Sequence, residues 1–99
     1  MASVNTNFDN AIRGYAKMEE ALRGIRGSVK EMQNSASEAK ACLKDSVSQK
    51  NLNRIEQLAQ NLDKLLANGE ERVRELEYQV REDKGRYEDM EEERQGVSE

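Results

Sequence analysis

A seven-residue apolar repeat is the feature that most constrains what this chain can fold into. Counting from Phe8, every seventh residue is Phe8, Tyr15, Leu22, Val29, Ala36 and Leu43, and three residues after each of the first five stand Ala11, Met18, Ile25, Met32 and Ala39. Apolar side chains at alternating three- and four-residue steps share one stripe of an α-helix and form the a and d positions of a coiled-coil seam. The repeat lapses at Ser46 and Lys50, where the next d and a would fall. It resumes in a new phase, with Leu52, Ala59, Leu66, Val73, Val80 and Tyr87 as a second a series and Ile55, Leu62, Gly69, Leu76, Asp83 and Met90 as its d series. The offset between Leu43 and Leu52 matches neither a heptad nor a three- or four-residue insertion, so the chain is predicted to turn back rather than continue as one helix.

The spacing predicts one domain over 1–99, with helix 1 over about 7–43, a turn over about 44–50, helix 2 over about 51–93 and a flexible C-terminal end over 94–99. The turn segment KDSVSQKN holds no Gly or Pro, but Ser46 with Gln49 reads as a capping box opening the second helix, and Thr6 with Asp9 as one opening the first. Because both arms rise equally per residue, facing residues should have numbers totalling about 95. Phe8 then lies opposite Tyr87, Tyr15 opposite Val80, Leu22 opposite Val73, and Leu43 opposite Leu52. The expected fold class is all-α, an antiparallel two-helix coiled-coil hairpin. One seam buries little surface, so the hairpin is expected to complete a helical bundle with another helical protein or with itself.

Two edges suggest where such a partner would sit. The g positions of the first helix are Gly14, Ala21, Ser28, Ser35 and Cys42, a line of small residues that either admits a neighbouring helix or accommodates the other arm. In the second helix Leu58 and Leu65 widen the apolar face around Ala59, Leu62 and Leu66. Gly14, Ala21, Ser28, Ser35, Leu58, Leu62, Leu65 and Leu66 are therefore the expected partner-binding residues. Gly24 and Gly27 lie on the outer side, and mark either local looseness or close contact with a partner.

Composition narrows the function. Charged residues make up 36% of the chain and the net charge is −4. The first fifty residues carry 8 basic and 6 acidic side chains (+2) and the rest 8 and 14 (−6). Basic residues alternate with carboxylates instead of gathering on one face, which argues against nucleic-acid binding. With no His and the single Cys42, neither a zinc cluster nor an internal disulfide is expected. Cys42 reads as a packing residue more than as a reactive thiol. No apolar run approaches a membrane span, and MASVNTNFDN lacks the basic and apolar regions of a signal peptide, so the expectation is a cytosolic chain without stable membrane insertion. The carboxylates sit on wet helical faces and no nucleophile or phosphate loop accompanies them; neither catalysis nor a cofactor is expected.

Tyrosine spacing adds one further signal. Tyr78 and Tyr87 are each followed four residues later by glutamate, Glu82 and Glu91. Tyr87 occupies an a position, whereas Tyr78 falls at an f position, away from the seam. A chain of about one hundred residues, folded as an antiparallel helical hairpin with a short turn and an acidic C-terminal end, resembles the small helical proteins of type VII secretion. The resemblance implies a side-by-side complex with another helical protein, such as an LXG toxin, and secretion without a cleaved signal peptide. It also implies an export motif, Tyr-x-x-x-Asp/Glu, which YQVRE (Tyr78 to Glu82) and YEDME (Tyr87 to Glu91) both match. The family's Trp-x-Gly turn is absent from KDSVSQKN, which points to the divergent toxin-partner subgroup. Tyr15 and Glu19 have the same spacing early in the first helix, so the pair also arises without that role. Two other readings fit the same residues: a coiled-coil structural or adaptor subunit of a cytosolic assembly, and a small acidic phage-type inhibitor of a basic nucleic-acid groove.

Overall fold

The computed structural model of the chain describes residues 4–97 as two antiparallel α-helices packed against each other, α1 (Val4–Cys42) and α2 (Ser46–Val97). Among these residues there is no strand, and no residue adopts a positive φ. The predicted all-α helical hairpin is what forms.

The turn is shorter than the sequence suggests, and its chemistry explains why. Only Leu43, Lys44 and Asp45 separate the helices, and α2 begins at Ser46 rather than near 51. Asp45, not Ser46, caps α2: its Oδ2 accepts the Ser48 N–H at 2.9 Å and its carbonyl accepts the Gln49 N–H at 3.0 Å. That geometry holds the Asp45 carboxyl below its usual pKa, first through the Ser48 backbone N–H. Gln49 serves the other helix, because its Nε2 donates to the Lys40 carbonyl at 2.9 Å and also to the Leu43 carbonyl. Such carbonyls at a helix end are commonly satisfied through a left-handed glycine. Here a side-chain amide reaches back to them, so the turn requires neither Gly nor Pro.

Two further boundaries differ from expectation. α1 already runs from Val4, which places Thr6 inside the helix rather than at its cap. α2 continues through 94–97, where a flexible end was expected. Met90 to Gln95 are strong helix formers, although Gly96 is not, and an Arg94–Glu91 pair at 3.5 Å has i,i+3 spacing. Ser98 and Glu99 lie outside the described residues.

Contacts divide the chain into two compact units, one made of Glu20–Glu71 and the other of the segment ending at Glu19 together with the segment from Arg72 onward. In the unit around the turn, the a positions Val29, Ala36 and Ala59 are buried, with Ala59 at 0% exposure. The Ser37 hydroxyl donates to Glu56 Oε1 at 3.1 Å, and Lys40 pairs with Glu56 at 3.4 Å. In the other unit the Phe8 and Tyr87 rings approach with centroids 6.1 Å apart at 53°, as the pairing arithmetic requires. Lys84 Nζ reaches Asp9 at 2.7 Å and Arg74 reaches Glu19 at 3.4 Å.

The second register position behaves differently from the first. In the unit around the turn, the d residues Ile25 and Ile55 are 50% and 39% exposed, whereas Glu70, at an e position, is only 4% exposed. Around Ile25 and Ile55 the helices therefore pack on a and e, while the d residues Met32, Ala39, Leu62 and Gly69 stay half-buried at the edge of the seam. Arg26 supplies the reason, since its guanidinium bonds Asp63 at 3.0 Å and Glu70 at 2.7 Å from an e position of the opposite helix. A carboxylate as buried as Glu70 is tolerated only when paired, and the Arg26 bond makes this e position compatible with burial.

Candidate interaction face

Turning the seam toward e leaves one side of the unit Glu20–Glu71 only partly covered, with its g residues and Ile25 and Ile55 exposed and the other d residues half-buried. From Ala21 to Cys42 the d and g positions are Ala21, Ile25, Ser28, Met32, Ser35, Ala39 and Cys42; from Ile55 to Gly69 they are Ile55, Leu58, Leu62, Leu65 and Gly69. None is charged. In an antiparallel pair packed on a and e, the d and g positions of both helices turn to the same side. Leu58 and Leu65 are 55% and 67% exposed there, beside the exposed Ala21, Ser28, Ser35 and Cys42. Full burial of one such leucine is worth about 1.5–3 kcal/mol, which gives this face an appreciable drive to find a cover.

The expected partner-binding residues divide accordingly. Ala21, Ser28, Ser35, Leu58 and Leu65 come together on this face, and Leu62 is half-buried at its inner edge. Leu66 points into the hairpin as an a residue and is half-buried. Gly14 belongs to the other unit, where it is half-buried. A methyl group at Gly14 would meet nothing within 4 Å, so packing of the other arm does not require a small residue there. Sequence reasoning did not assign Ile25 and Ile55 to the partly covered face. The sequence carried no separate signal for this, because the e positions of an ordinary seam are charged as well.

The opposite side of the same unit is polar. Arg23, Arg26, Gly27, Lys30 and Glu70 line a shallow cleft of about 240 Å³. Hydrogen bonds from Arg26 hold Asp63 below its ordinary pKa, and Asp63 and then Glu70 raise the pKa of Arg26. Glu70 spends Oε2 on Arg26, while its buried Oε1 has no hydrogen-bond partner.

The two tyrosine matches are physically unlike. Tyr78 is 65% exposed, and its hydroxyl is hydrogen-bonded to the exposed Glu82, which raises the tyrosine pKa. Tyr87 is half-buried against Phe8, and Glu91 is half-buried as well. Only the first pair presents a ring to solvent. Comparisons with protein-family models, with curated proteins and with solved structures return no match to this chain. Among the described residues no cluster of His, Cys, Asp or Glu is arranged to hold a metal ion, and no helix is long and apolar enough to cross a membrane. What the arrangement offers is an uncharged apolar surface for another helix, and one exposed Tyr–Glu pair.

Proposed function

We propose that the chain is a non-enzymatic helical partner subunit, whose work is to bind helices through the d and g face of Glu20–Glu71. One observation carries this reading: that face is free of charge and exposes Ile25, Ile55, Leu58 and Leu65, in a chain whose mean hydropathy is −1.02. The resemblance to type VII secretion proteins supplies the partner class to test first, a helical effector whose export the subunit assists. Tyr78 with Glu82 is then the recognition element, because its ring is free of the packed seam. A coiled-coil adaptor shares the face and differs only in giving Tyr78 no task.

The test is expression in the native host, with affinity purification of the wild-type chain, Leu65→Glu and Tyr78→Ala. Leu65→Glu is expected to lose the bound helical protein while keeping its helix content. Tyr78→Ala is expected to keep the partner and lose its export. Retention of the partner by Leu65→Glu would sink the assignment of the face, and undiminished export of Tyr78→Ala would leave the adaptor as the account.

A further inference from the structure

The partly covered face of Glu20–Glu71 is asymmetric in size. Its α2 edge carries Leu58 and Leu65, and the corresponding edge of α1 carries Ser28 and Ser35. The Ser37–Glu56 hydrogen bond sets the level of the two helices, so Leu58 stands about level with Ser35, and Leu65, one heptad further on, about level with Ser28. A leucine ridge thus runs beside a serine trough.

We propose that the occupant of this face is a second copy of the chain, related to the first by a twofold axis that lies in the face and runs parallel to the helices. The proposal rests on the reading above that this face binds protein. Such a rotation keeps every residue at its own level and lays α2 of each copy over α1 of the other, so the leucines of each descend onto the serines of its mate. A twofold axis across the helices would instead set leucine edge on leucine edge. The rim agrees with the parallel axis. Arg54 and Glu38, both exposed at c positions beside the face, come from opposite copies to within about one helical turn of each other.

Area is sufficient. Ala21 to Cys42 spans about 30 Å at 1.5 Å per residue, and two helices of 10–12 Å diameter make the face about 20 Å wide. With the α2 half running only from Ile55 to Gly69, about 21 Å, that is about 500 Å² per copy and about 1,000 Å² for the pair, at the threshold for a specific interface.

The experiment is sedimentation velocity of the full chain across the micromolar range. The wild type is expected to reach twice 11.3 kDa. Ser28→Leu fills the trough and Leu65→Ser removes the ridge, and each should raise the dissociation constant at least about tenfold, which is 1.4 kcal/mol. The double variant should recover most of that loss, because ridge and trough have exchanged sides at that level while Leu58 still meets Ser35. Circular dichroism confirms that every variant remains helical. A wild type that stays monomeric overturns the proposal, as does a double variant no tighter than the weaker single, or a Ser28→Leu chain that associates more strongly. A monomer that still binds a helical partner through Leu65 overturns the second copy and leaves the proposed function standing. A dimer that passes these tests and captures no host protein supports the second copy and removes the partner-subunit reading.

Discussion

Alanine at Gly24 and at Gly27 should stabilise the fold, and the structure bounds the amount. Both glycines lie inside α1, and a Cβ built on either meets nothing within 4 Å. No contact within the chain opposes the added methyl, so the substitution acts through backbone freedom, about 0.5–1 kcal/mol at each site. Together they should contribute about 1–2 kcal/mol, or about 5–15 °C in melting temperature for a chain of this size. Gly69→Ala is the comparison, because its methyl would meet Leu22 Cδ1 at 3.6 Å, an ordinary contact, and should add a gain of its own. The assay is thermal unfolding followed by helical circular dichroism, at two protein concentrations that separate folding from association. Lower stability of either single variant at the dilute limit would refute the reasoning. Gains at the dilute limit that vanish on concentration would place these glycines against a neighbouring molecule.

Three further outcomes are expected. Gln49→Ala should lower stability by about 1–2 kcal/mol in chemical denaturation, because it frees the Lys40 and Leu43 carbonyls at the end of α1. Arg26→Gln should weaken the fold at neutral pH and narrow its deficit in acid. Asp63 has a lowered pKa in the folded chain, so its contribution is complete above the ordinary carboxylate value of 3.8 and fades as pH falls through the lowered value; denaturation across pH 2–6, roughly the window in which carboxylates titrate, measures it. Tyr87→Ala should loosen the packing against Phe8 by less than the roughly 3–5 kcal/mol of a fully buried ring, whereas Tyr78→Ala leaves the melting temperature unchanged. Hydrogen exchange near Phe8 distinguishes the two.

The a series was legible because burial of Val29, Ala36 and Ala59 keeps an apolar residue at every seventh position. The d series was equally legible as apolar, but apolarity records every surface a residue covers, including surfaces on other molecules. Ile25 and Ile55 therefore read as seam residues and stand at the rim. Choosing between d and e required seeing that Arg26 lies within reach of both Asp63 and Glu70, which is a three-dimensional fact. The turn showed itself as a broken register. Its boundaries did not, because Asp45 and Gln49 do the work of a cap and a glycine through side-chain hydrogen bonds that composition does not announce.

The turn also sets an order in which folding is expected to proceed. Gln49 closes onto Lys40 across nine residues, Ser37 onto Glu56 across 19 and Arg26 onto Glu70 across 44, whereas Lys84 and Asp9 must enclose 75. Loop-closure entropy rises with each step, so a chain nucleated at Asp45 and Gln49 gains its contacts as a zipper gains teeth, each short closure making the next one local. Substitutions at Gln49 should then slow refolding, while those at Phe8 or Tyr87 mainly speed unfolding. A refolding rate that responds to Tyr87→Ala and ignores Gln49→Ala would reverse that order. The hairpin would then begin where its chain ends are, and close at the bend last.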